Sequence, residues 1–113
     1  MKIRYNDKIL DKLSWFMDIG GITLYPYIIL REKYKNNKTI LNHETIHIQQ
    51  QKELLVVGFY LMYLIEWFVR LFMKGNAYRN ISFEREAYNN ESDMDYITNR
   101  KCFSFFKYYF KNE

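Results

Sequence analysis

Residues 54–73 read "LLVVGFYLMYLIEWFVRLFM", and the fold depends on whether they form one rod or two. The uncharged run extends only from Leu54 to Ile65. A membrane-spanning helix needs about 20 apolar residues, so a buried helix pair is the expectation. Glu66 and Arg70 follow four residues apart, a spacing that places them on one helix face where they can pair. Gly58 is the single glycine in the stretch and follows two β-branched valines, which makes it the expected place for a break. The path would then rise from about 40 to 57, return from about 59 to 73 and turn at Gly75.

Upstream lies "NHETIHI", residues 42–48, which holds both histidines of the chain. A helix is expected from about Thr39, the expected N-cap. Positions four apart share a helix face, so His43 and His47 can aim ring nitrogens at one ion. Glu44 stands one step round and can reach a metal-bound water. Zinc lowers the pKa of such a water towards neutral and a carboxylate then removes its proton, the chemistry of attack on a polarised carbonyl. The competing reading is a polar patch on an ordinary helix. Gln50, one turn after His47, reads as a neutral surface residue.

A catalytic zinc takes three protein ligands, and with no histidine left the third must be Asp, Glu or Cys. The candidate stretch is "SFEREAYNNE", residues 82–91. On a helix Glu84 and Glu91 share a face with Tyr88 between them, while Glu86 points elsewhere. One of these carboxylates can approach the metal while another orients a ligand from behind; taken alone, the stretch also reads as a charged, solvated face. The chain path constrains the choice. One straight helix from His47 to Met73 would carry the chain about 39 Å away, and Glu84 comes only eleven residues later. Glu84 as a ligand therefore requires the break near Gly58.

"HETIH" followed by "EREAY" resembles the gluzincin metallopeptidases, which pair HExxH with ExxA on a later helix. The same motifs occur in the minigluzincins and in the catalytic domains of the CAAX prenyl and heat-shock membrane proteases. The match is at residues 42–47 and 83–88, and Glu84-Arg85-Glu86-Ala87 assigns Glu84, not Glu86, as the third ligand. The resemblance implies one catalytic Zn2+ held by His43, His47 and Glu84, with Glu44 as catalytic base of a peptidase. It implies an α+β fold, mostly helical, with a small N-terminal sheet beside the HExxH helix. An edge strand, here Ile22–Arg31, would bind an extended peptide or protein substrate antiparallel. One departure stands out: where the membrane proteases often carry Asp after the Ala, this chain has Tyr88, so a histidine ligand must be supported differently.

The remaining sequence fits a single minimal domain over 1–113, with 49% apolar and 19% aromatic residues. "KIRY" at 2–5 is a strand candidate, 8–17 a helix with Ile9, Leu13 and Phe16 inward, and 32–38 a polar loop. Pro26 within 22–32 suggests an edge or a bulge. A helix is expected over 80–97 with Ile81, Ala87, Met94 and Ile97 on its apolar stripe. The tail "NRKCFSFFKYYFKN", 99–112, reads as an amphipathic helix able to make peripheral membrane contact. A net charge of +4 is too small to imply nucleic acid. The single Cys102 reads as a small buried apolar residue in a reducing, cytoplasmic compartment, and "MKIRYNDKIL" lacks the apolar run of a secretory signal. Arg79, Arg85 and Tyr88 are the candidates for an oxyanion donor. Two other functions compete with the peptidase: a latent gluzincin-like zinc protein without turnover, and a membrane-surface binding module built on the tail.

Overall fold

The computed structural model describes residues 2–13 and 20–109. Three short strands form one sheet: β1 (Lys2–Tyr5), β2 (Gly21–Leu24) and β3 (Tyr27–Leu30), in the order β1-β3-β2. β1 runs parallel to β3 with Lys2 opposite Tyr27, and β2 runs antiparallel with Gly21 opposite Leu30. The expected single strand over 22–32 is thus a hairpin. Pro26 lies in its two-residue turn, after a cis peptide bond; it lacks the donor a ladder needs, so it marks the turn instead of a bulge. β3 is the central strand, and β1 and β2 are the two edges.

Five helices follow the chain: α1 (Asp7–Leu13), α2 (Lys38–Glu53), α3 (Val57–Arg70), α4 (Ser82–Asn90) and α5 (Tyr96–Asn99). The architecture is α+β, mostly helical with a small N-terminal sheet. α1 buries Leu10 and leaves the expected Ile9 exposed, while the Leu13 side chain and Phe16 lie outside what is described. α2 starts two residues earlier than a Thr39 cap would give, because the cap is Asn37, whose side chain accepts from Ile40 N. α2 rests on the sheet through Ile28, Leu30 and Ile48. A second cluster of Phe59, Ile81, Phe83 and Phe105 joins α3, α4 and the 3-10 turn Ser104–Tyr108.

The helix break is present, three residues before its expected centre. Leu55 and Val56 both have positive φ, 55° and 64°, and Val57 N donates to Leu55 O at 2.7 Å. With ψ of −61°, Val56 occupies a three-residue γ-turn of the strained hand, a rare conformation for a β-branched residue. Gly58 lies inside the first turn of α3, where an added Cβ would make only an ordinary contact with Leu54 at 3.5 Å. Glu66 and Arg70 both face inward; burial raises the Glu66 carboxyl and the Arg70 charge counters it, as their spacing of four leads one to expect. Glu66 accepts from Ser82 N and Oγ, and Arg70 Nη2 donates to Tyr109 O.

The expected helix over 80–97 is divided. Asn89 and Asn90 turn their amides back onto Arg85 O and Glu86 O, and the Asn42 amide takes the carbonyls of Glu91 and Asp93. Met94 is exposed in the intervening turn. The tail forms a 3-10 turn instead of an amphipathic α-helix, entered through Phe103 at φ 60°. Cys102 is exposed there and not buried.

Candidate metal centre

α2 presents its polar face to the interior, with His43, Glu44, His47, Gln50 and Gln51 all buried. It can do so because the sheet covers one side and α4 the other. His43 Nε2 and His47 Nε2 each lie 3.1 Å from the same oxygen, Glu84 Oε1. One ligand atom from each of the three residues falls within 4.8 Å of the others. Glu86 and Glu91, the alternatives open at the level of sequence, are both committed elsewhere. Glu86 is fully buried and holds Arg100, Tyr96 and Gln50. Glu91 Oε2 lies 2.8 Å from His43 Nδ1.

The donor set suits a divalent ion of the zinc type: two imidazoles and a carboxylate, with the outer ring nitrogens both occupied. His43 Nδ1–H donates to Glu91, and His47 Nδ1–H donates to Gln50 Oε1 at 2.7 Å. Each bond leaves Nε2 facing the centre. Tyr63 donates its hydroxyl to Glu84 Oε2 at 2.8 Å, leaving Oε1 turned to the histidines. Tyr88 contributes its ring, packed edge-on against His43 with centroids 4.5 Å apart. The support that an Asp would give at position 88 therefore comes from Glu91, almost one turn further along.

Glu44 is held from the sheet. Thr23 Oγ1 is within hydrogen-bond distance of both Glu44 O and Glu44 Oε1, at 3.0 and 2.9 Å. The other oxygen, Oε2, lies 3.9 Å from His43 Nε2, on the side of the centre. Gly21 lies beside it: a Cβ there would lie 2.7 Å from Leu30 Cδ2 but only in ordinary contact, 3.5 Å, with Glu44 Cγ, so the glycine serves the packing of β2 on β3. A cleft of about 390 Å³ meets Glu44, His47 and Glu84. Its walls are β2 on one side and Phe59, Tyr60, Tyr63 and Trp67 of α3 on the other, with Tyr78 beside them.

Neither a family model, nor a curated protein, nor a solved structure matches this chain.

Electrostatically the cluster is a set of shared protons. Burial pushes His43 down, but hydrogen bonds to Glu84 and Glu91 and the charges of Glu44 and Glu84 overcome it and hold the imidazolium up to about 10. His47 is raised by Glu84 against its own burial. Burial works to raise Glu84, yet the two histidines hold its carboxyl well below the usual range. Burial and the Glu84 charge keep the Tyr63 phenol protonated and able to donate.

Three residues of this centre escaped the sequence reading. Gln50 is not a surface residue: it is fully buried, and its amide donates to Phe83 O and Glu86 Oε1 while its oxygen holds His47. Tyr63 and Thr23 come from elements distant in sequence, and no local pattern marks them. Of the expected oxyanion donors, Arg79 stacks 4.0 Å over the Tyr88 ring and Arg85 donates to Tyr108 O. Neither is among the residues lining the cleft, whereas Tyr78 is. Replacing Glu91 by Gln removes the anion behind His43 and is expected to weaken zinc binding about 10–100-fold, read by competition against a chromophoric chelator. The Glu91 side chain is 24% exposed, so the variant should keep its fold.

Proposed function

We propose that this protein is a zinc-dependent peptidase. The observation that carries the reading is the convergence of His43, His47 and Glu84 within 4.8 Å, beside a glutamate whose second oxygen faces the same cleft. Zinc bound by such a set supplies Lewis acidity, polarising a carbonyl and acidifying a water molecule. The residues of the chain do the rest. Glu44 accepts the proton at Oε2 while Thr23 fixes Oε1, and it returns the proton to the departing amine. Tyr78, kept protonated by burial and the Glu84 charge, serves as a neutral donor to the developing oxyanion. An extended peptide lies along the edge strand β2, whose residues Gly21, Ile22 and Thr23 wall the cleft. The placement proposed is cytoplasmic, consistent with a lone, exposed thiol at Cys102. Among the described residues no helix is long and apolar enough to cross a membrane.

The test is metal analysis coupled to hydrolysis. The wild type should bind one zinc per chain and cleave members of a mixed short-peptide library. A chelator should abolish cleavage, and added zinc should restore it. A titration that finds no zinc bound overturns the reading; zinc without cleavage favours a latent zinc-binding protein.

Zinc affinity should also depend steeply on pH. Binding at neutral pH must displace at least the His43 proton, so apparent affinity rises about tenfold per pH unit for each proton released. The gain continues up to about 10, where His43 loses its proton unaided. Stability of the metal-free protein moves oppositely. A pKa raised from 6.5 to about 10 gives a contribution fully present below 6.5 and lost as pH rises through 10. Glu84, depressed, contributes above its unfolded value near 4.5 and loses this as pH falls. Metal-free melting temperatures should therefore fall from pH 6.5 upwards, and saturating zinc should offset that fall.

A further inference from the structure

We propose that the outer face of α3 docks on the surface of an anionic lipid bilayer. Every exposed residue between Leu54 and Met73 is apolar. Leu61, Leu64, Ile65, Phe68 and Phe72 recur at helical spacing and form one stripe, with Phe72 79% and Leu55 84% exposed. The two charges of the segment, Glu66 and Arg70, are buried. This helix packs Phe59 into the core and buries both its charges, yet its outer face carries large apolar groups where a surface helix ordinarily carries polar ones.

Charge identifies the occupant. From Leu54 to Phe83 the only carboxylate is Glu66, and Ser82 holds it inside. Exposed Lys52 and Lys74 stand at the two ends of the stripe. Glu53, the neighbouring acid, is engaged by a two-pronged contact with Arg100. An apolar face bordered by cations matches a layer of acyl chains under anionic headgroups. A second copy fits worse: with no exposed carboxylate between Leu54 and Phe83, two such faces brought together offer no counter-charge to the flanking lysines. With 14 residues, α3 is about 21 Å long, short of the roughly 30 Å hydrocarbon core. It therefore lies in the plane of the interface. Leu64 belongs both to this face and to the wall of the cleft, so the cleft opens beside the lipid. The docking itself does not depend on the chemistry of the metal centre, and its test uses lipid alone.

The test is co-sedimentation of the full chain with vesicles of phosphatidylcholine, with and without roughly a quarter phosphatidylglycerol. The wild type should pellet with the anionic vesicles and more weakly with the neutral ones. Phe68→Ser with Phe72→Ser should weaken binding about a hundredfold, with an unchanged circular-dichroism melt. Lys52→Ser with Lys74→Ser should remove most of the anionic preference. Should the double serine variant lose its fold, Phe72→Ser alone reads the same face, with a loss of about tenfold. Wild type remaining in the supernatant with both vesicles overturns the proposal. So does wild-type binding in the folded double serine variant. A dimer in sedimentation equilibrium that dissociates in that variant, without vesicle binding, assigns the face to a second copy and likewise overturns it.

Discussion

Arg100→Met should cost about 3–5 kcal/mol of stability and lower the melting temperature by more than about 10 °C. The Arg100 side chain is 4% exposed and its partner Glu86 is fully buried. It holds Glu86 through Nε and Nη2, and it holds Glu53 through Nη1 and Nη2. Removing the guanidinium leaves the fully buried Glu86 carboxylate without its counter-charge, and an uncompensated buried charge is the costly case. The second change, Glu86→Leu added to Arg100→Met, should recover part of the loss, because an apolar pair of similar volume needs no counter-charge. The damage should reach the metal centre. Glu86 Oε1 accepts from Gln50 Nε2, and Gln50 Oε1 orients His47. Zinc affinity should therefore fall in Arg100→Met even at temperatures where the variant is folded. A denaturant melt within about 0.5 kcal/mol of the wild type would show that the network is not structural.

Glu44→Gln should keep zinc and lose peptide hydrolysis by about a hundred- to ten-thousandfold. The substitution is nearly isosteric, and the amide oxygen can keep the bond that Thr23 Oγ1 makes to Oε1. What it removes is the basic oxygen on the side of His43 Nε2. Zinc stoichiometry measured beside turnover separates the two roles a carboxylate can play here. Retained zinc with lost turnover is the signature of a base. Lost zinc would make Glu44 a ligand, and unchanged turnover would remove it from the chemistry; either result contradicts the role given to it.

The candidate metal site was legible in the sequence where it depended on rare residue types at short spacing. His43 and His47 are the only histidines, and their separation of four carries its geometric meaning on any helix. Glu84 was legible through the later motif and through the length of chain available to return. The supports were not. Gln50 donates to Phe83 and Glu86, 33 and 36 residues away, and Tyr63 meets Glu84 across 21. Such partners exist only after the helices pack. The break was legible as a necessity of the path, but its position was not. Glycine is the residue that tolerates positive φ, yet Leu55 and Val56 adopt it here. The hairpin at 21–30 was missed for a related reason: Pro26 excludes a central ladder position but does not distinguish bulge from turn.

The turn at Val56 has a mechanical consequence. α3 leaves the end of α2 at that point, and it forms the wall of the cleft that faces β2. Trp67 stands about 15 Å along α3 from the pivot, so a rotation of ten degrees there would move it by on the order of 3 Å, while Phe59 would scarcely shift. A pivot alone cannot set the gape of such a calliper; the far arm must also be latched. Glu66 to Ser82 and Arg70 to Tyr109 are those latches. Two buried charges of α3 thus tie its far end to the rest of the fold, and the position of one wall of the cleft depends on residues that do not line it.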